Sequence, residues 1–257
     1  MKNLSIHATI CMVSLLSMTL LMSCDKDNDE VNTGDDVIVM KGTGDINPVL
    51  TDFRNLLGEQ LNTTPGAIGG RREINWDGIP AEMLNKKLPV DFFNPTGASA
   101  IVSNQRGLLY SPTGNFQVSN TNFAEVNPAA SQQFSSFSGD KSFANISTNL
   151  WDVEFQVPGQ AVAATVQGFG IVFSDVDLPQ STSLEFFNGT KSLGKYYVPA
   201  KNTNSNFSFL GVFFRNEQVT RVRVAHDSHL DKGENDISAD GNADLVVMDN
   251  FLYSEPE

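Results

Sequence analysis

The chain predicts a mainly β fold, an antiparallel β-sandwich of jelly-roll type with one N-terminal helix. Three observations point there. Beyond Gly58 the apolar residues recur at every second position in many short runs. No helix-length amphipathic stretches separate those runs, so a parallel α/β sheet is not expected. Asn188-Gly189 stands between two of the runs, and that dipeptide marks a hairpin because both residues tolerate positive φ.

The elements follow in order. Residues 24–45 are polar and acidic apart from Val37-Ile38-Val39-Met40, and read as a tether holding at most one short strand. Val49, Leu50, Phe53, Leu56 and Leu57 then lay one apolar stripe along a helix. Asn47 suits its cap, Pro48 its first turn and Gly58 its end. Short strands are expected at Arg72–Trp76, Gly107–Tyr110 and Phe116–Ser119. Trp151, Val153, Phe155 and Val157 alternate with polar residues, the pattern of a half-buried strand. Phe169, Ile171 and Phe173 mark another. Leu184 and Phe186 lead through Asn188-Gly189 to Tyr196–Val198. Phe207–Phe214 and Val219–Val224 form a further pair, and Leu245–Tyr253 reads as the closing strand. Residues 95–150 are rich in Ser, Asn, Gly and Pro and show the least pattern. Residues 46–257 are expected to form a single domain.

The first residues carry an address. Lys2, an apolar stretch from Ile10 to Leu21, and Leu21-Met22-Ser23-Cys24 make an export signal over residues 1–23 with a lipoprotein cleavage box. The apolar core is too short to span about 30 Å of hydrocarbon. Ser23 supplies the small residue before the cut, and Cys24 the thiol that takes lipid. Acyl chains contribute about 0.8 kcal/mol per buried CH₂, so several on one cysteine hold a protein to a membrane. Asp25-Lys26-Asp27-Asn28-Asp29-Glu30 resembles the acidic tract behind the lipid cysteine of lipoproteins that Bacteroidetes-type bacteria export to the cell surface. An outer-membrane lipoprotein displayed at the surface is therefore expected, with a periplasm-facing anchor as the alternative.

Charge and cysteine narrow the function classes. The net charge is −13, and the strongly acidic balance excludes a nucleic-acid partner. Besides Cys24 the only cysteine is Cys11, inside the signal. The folded part therefore has no disulfide, cysteine-ligated zinc or cysteine nucleophile. Its stability rests on packing, to which eighteen Phe contribute.

Candidate binding residues fall in two regions. In the first, Asp236, Ser238, Asp240 and Asp244 supply alternate oxygen ligands around Gly241, in the manner of a calcium loop. Val247 stands where an EF-hand needs an acid, so only a looser calcium site is expected, and a plain solvated loop is the other reading. Asp249 lies within an apolar strand, where an unpaired carboxylate is costly. By analogy with jelly-roll carbohydrate-binding modules it would hold a structural Ca²⁺; otherwise it would pair with Arg71 or Arg72. His226-Asp227-Ser228-His229, with Asp231, lacks the helical spacing of zinc hydrolases and reads as exposed loop histidines. The second region is Trp76-Asp77. An exposed indole beside an acid suits the C–H face of a sugar ring, whereas a buried Trp76 would be core. Trp151 reads as core.

Two stretches carry a family resemblance: Gly70-Arg71-Arg72-Glu73-Ile74-Asn75-Trp76-Asp77-Gly78, and Asp244-Leu245-Val246-Val247-Met248-Asp249-Asn250-Phe251, with Gly168-Phe169-Gly170 and Ser183-Leu184-Glu185-Phe186-Phe187 between them. Over Asp52 to Tyr253 the chain resembles a broad group of uncharacterised secreted bacterial β-sandwich proteins, some with PEP-CTERM sorting tails. The resemblance implies export and a sandwich, and supplies no catalytic residues. No Gly-x-Ser-x-Gly elbow or phosphate-cradling loop is present. The expected function is thus a non-catalytic, lipid-anchored envelope protein binding a glycan or another extracellular ligand. The alternatives are a structural or adhesive subunit of a surface assembly and, further off, a secreted hydrolase.

Overall fold

The computed structural model describes residues 30–33, 36–126, 128, 130–226 and 246–257. Cys24, the signal over residues 1–23, Asp236, Ser238, Asp240, Asp244, His229 and Asp231 all lie outside them. Over the described residues the fold is an antiparallel β-sandwich with one α-helix, as the alternating patterns predict.

The strands are β1 (Glu30–Thr33), β2 (Val37–Thr43), β3 (Arg71–Ile74), β4 (Leu108–Tyr110), β5 (Phe116–Ser119), β6 (Ser142–Asn145) and β7 (Leu150–Phe155). They continue with β8 (Gly168–Ser174), β9 (Ser183–Asn188), β10 (Lys191–Tyr197), β11 (Phe207–Phe214), β12 (Arg221–Ala225) and β13 (Val247–Ser254). Helix α1 spans Asn47–Leu57. One sheet runs β1-β2-β11-β8-β13-β6-β5, with β3 also on β13; the other runs β10-β9-β12-β7-β4. Within them, β6-β13-β8-β11 and β7-β12-β9-β10 form the two four-stranded layers. From β6 to β13 every connection changes sheet except the β9–β10 hairpin, which is the winding of a jelly roll. The hairpin lies where predicted, but its two turn residues are Gly189 and Thr190: Asn188 stays in β9 opposite Lys191, and Gly189 takes φ +58°.

The interior between the layers is aromatic. Phe143, Phe169, Phe251 and Tyr253 from one sheet meet Trp151, Phe155 and Phe186 from the other. On the outer face of the second sheet Leu150 and Glu154 are exposed, the Arg221 guanidinium covers the Phe187 ring at 3.9 Å, and Asp152 pairs with both Arg221 and Arg223 at 2.9 Å. The first sheet is buried on both faces, so β8 and β13 have no exposed residue. Helix α1 covers part of its outer face, where Leu50 and Phe53 rest on Ile38, Met40, Val172, Phe209 and Leu252. The close approach needs two cross-strand glycines. Gly170 pairs with Gly211, and a Cβ on either would come within 2.9 Å or 2.7 Å of the Phe53 ring.

Two local expectations are corrected. The stretch read as tether contains β2, which pairs with β11 along its whole length and buries Ile38, Val39 and Met40, so the fold begins before residue 46. Its alternation was masked because Ile38 and Met40 lie under the helix while Val39 faces the opposite core. At the helix start, Asn47 does not cap; Asp45 Oδ1 accepts its backbone N–H at 3.1 Å instead. Among the described residues no helix is long and apolar enough to cross a membrane.

Candidate functional site

The region around Trp76 is built by strand pairing. Along one edge of β13, β6 bonds at Met248 and β3 bonds from Phe251 to Ser254. Between those partners β13 bulges at Asp249-Asn250, two residues facing one on β8. β3 leads directly into Trp76, whose φ of +67° reverses the chain, and Ile79 N–H donates to Trp76 O at 3.0 Å. Trp76, Asp77 and Asp249, distant in sequence, are thereby brought together.

Their roles differ from those expected. Trp76 is 1 % exposed and cannot serve as a sugar platform. Its indole stacks on Phe143 at 4.0 Å and 9°, meets Phe251 and Phe93 edge-on, and donates Nε1–H to Asp249 O at 2.7 Å. Neither Arg71 nor Arg72 pairs with Asp249: Arg71 binds Glu73 at 2.8 Å and Arg72 binds Glu255 at 2.6 Å. Asp249 Oδ2 instead accepts the N–H groups of Phe137 (2.6 Å) and Ser138 (3.1 Å). The Ser138 hydroxyl donates to Asn250 Oδ1 at 2.6 Å, with Asp249 Oδ1 3.3 Å away. Burial pushes the Asp249 carboxyl up to about 7, the charge of Asp77 adds to the rise, and the N–H donors oppose it.

Half-buried Asp77 accepts the Asp140 N–H at 3.2 Å, and Lys141 Nζ donates to Asp77 O and Ile79 O at 2.7 and 2.9 Å. The two acids therefore clamp the Phe137–Lys141 loop onto the sheet. Among the described residues no three acids or histidines gather as a metal site. His226, expected in an exposed loop, is buried at the end of β12, 4 % exposed.

On the other side of the Trp76 turn lies an open pocket of about 140 Å³. Asn75, Phe92, Phe93, Asn104, Arg106 and Glu73 line it. Phe92 and Phe93 are half-buried and meet edge-to-face at 5.0 Å. Arg106 Nε donates to Ser103 O at 2.8 Å and Nη1 to Glu73 O at 3.4 Å, while Tyr253 O–H donates to its carbonyl at 3.0 Å. Its guanidinium forms no ion pair among the described residues. Burial draws its pKa down; Tyr253 opposes this and the neighbouring Arg72 charge reinforces it. A larger opening of about 240 Å³ lies between Gly69, Thr165, Gln167, Gln218 and Glu257, with no aromatic wall.

No protein-family model, curated protein or solved structure matches the chain at significance.

The smaller pocket is the better binding site on chemical grounds. It joins apolar ring surface, two amides and a cation in one concavity, the mixture that fixes a small polar ligand. Sequence reading missed Phe92, Phe93, Asn104 and Arg106. No motif marks them, and their convergence depends on loops whose spacing carries no period. The one available signal was Phe92-Phe93 beside Asn94-Pro95 in a loop-rich stretch, since paired aromatics outside a strand need a covering surface or a ligand.

Proposed function

We propose that this is a lipid-anchored envelope protein whose jelly-roll domain binds an extracellular glycan without transforming it. The observation that carries the proposal is the Phe92–Phe93–Arg106 pocket. Its ring surfaces suit the C–H faces of a sugar, and Asn75 and Asn104 suit its hydroxyls. The export signal and Cys24 support anchorage, and the acidic run after Cys24 supports display at the surface. The non-catalytic reading is supported by Asp249, the acid with the most raised carboxyl among the described residues. It is 1 % exposed and committed to the Phe137–Ser138 loop, so it is not placed to exchange a proton with a substrate. Calcium at Asp236, Ser238, Asp240, Asp244 and Asp249 remains a proposal, tested by a melting temperature that rises with Ca²⁺ and falls with chelator.

The test of binding is a glycan array probed with the folded mature chain, followed by titration of each hit against Phe92→Ala. Binding that weakens about tenfold in that variant, at an unchanged fold, is the expected result; an array blank for folded protein overturns it. A second reading, an adhesive subunit, is supported by Ile68, Ile101 and Val102, exposed at 95 %, 60 % and 53 %. Cross-linking in cells would then give one dominant protein partner.

A further inference from the structure

We infer that the Arg106 pocket selects an acidic saccharide and receives the carboxylate of one uronic-acid ring; this deepens the glycan reading and rests on it. The chain carries −13 overall, so its surface as a whole repels anions. The pocket departs from that rule. Around it stand four guanidinium groups, Arg54, Arg71, Arg72 and Arg106, with two carboxylates, Glu73 beside Arg54 and Arg71, and Glu255 beside Arg72. Glu255 is taken by Arg72 and Asn62. Glu73 is taken on one side by Arg54 at 2.9 Å and on the other by Arg71 at 2.8 Å. Against the cost of burial, those two hold its carboxyl below the ordinary value.

Of Glu73, Arg106 meets only the backbone carbonyl, so among the described residues it is the one of these four guanidinium groups left without a carboxylate. A guanidinium has five N–H donors, and Arg106 spends its bonds on two carbonyls. What remains is a partly desolvated planar fork facing a pocket, and a carboxylate is the group that matches it in charge and shape. The rest of the wall selects the scaffold that carries the carboxylate. Phe92 and Phe93 offer ring surface, and Asn75 and Asn104 offer amides. At about 140 Å³ the space is well under the roughly 300 Å³ at which pockets enclose whole drug-sized ligands. It therefore takes a single ring of a longer chain.

The experiment is calorimetric titration of the mature protein with galacturonate and glucuronate oligomers, each beside the neutral galactose or glucose oligomer of equal length. Arg106→Gln, Arg106→Lys and Phe92→Ala are compared with the parent, and melting curves confirm that each folds. A uronate oligomer should bind at least about tenfold more tightly than its neutral counterpart, with affinity falling as salt rises. Arg106→Gln should erase that preference, Arg106→Lys should restore only part of it because an ammonium lacks the fork, and Phe92→Ala should weaken acidic and neutral oligomers alike. Equal binding of acidic and neutral oligomers overturns the inference and leaves glycan binding standing. A uronate preference untouched in both Arg106 variants overturns it as well. Absence of binding by any saccharide, with the protein folded, overturns both.

Discussion

His226 holds two ring nitrogens that are buried and, among the described residues, without a hydrogen-bond partner. Burial alone pushes its pKa from 6.5 down to about 4. The folded form thus resists a proton that the unfolded chain accepts. Stability from this residue is present in full above pH 6.5 and is lost as pH falls towards 4, a change on the order of 3 kcal/mol. Asp249 works in the opposite sense. Its folded pKa is raised from 3.8 to about 7, so the fold holds a proton that the unfolded chain releases, and its contribution is lost as pH rises from 3.8 through 7. Over the shared window the two slopes oppose each other, and the parent protein should show a shallow dependence of melting temperature on pH. His226→Leu should expose the Asp249 slope, with stability rising as pH falls from 7 to 4. Asp249→Asn should expose the reverse. Urea unfolding of both variants at pH 4.5, 5.5 and 6.5 checks the prediction, and parallel curves for all three proteins would refute it.

At the scale of elements, the contact of α1 with the sheet is the sharpest case of a shape constraint. Gly170→Ala and Gly211→Ala each drive a methyl into the Phe53 ring, and each should cost about 1–3 kcal/mol in urea unfolding. Phe53→Leu should cost stability by itself yet recover part of the loss when combined with either alanine. The helix was legible because its stripe has one period and one face. β7 was legible for the same reason: Trp151, Val153 and Phe155 face the core while Leu150 and Glu154 face water. β5 and β6 gave weak patterns or none, because Phe116–Ser119 and Ser142–Asn145 are buried on both faces and need no polar alternation. The candidate site divides along the same line. Trp76, Asp77 and Asp249 stood out singly, for their rarity or their cost in an apolar strand, but only the pairing of β3 with β13 shows that they meet. Arg106 is an ordinary arginine in a sequence; what singles it out is that Arg54 and Arg71 have already taken Glu73.

At the scale of the molecule, the chain is fastened by a pair that the winding brings together across 183 positions. Arg72 and Glu255, exposed at 0 % and 2 % in their side chains, bond through Nη2 at 2.6 Å and Nε at 2.8 Å. The same guanidinium donates to Thr64 O at 2.8 Å and to Gln105 O at 3.4 Å, so β3 and two separate loops are pinned to the end of β13. Removing one charge strands the other in a dry site, and Glu255→Ala should cost about 3–5 kcal/mol. Replacing both by apolar residues, Arg72→Met with Glu255→Leu, should recover much of that loss, because no orphaned charge is left. Gln105 precedes Arg106, whose carbonyl also anchors Tyr253. Loosening the pair should therefore reach the pocket. In the double variant, uronate binding should weaken several-fold although the fold has regained stability, because the apolar pair no longer holds the Gln105 carbonyl. Melting curves and titration on the same samples separate the two effects. Full affinity in the stable double variant would show that the pair fastens the fold and does not position Arg106.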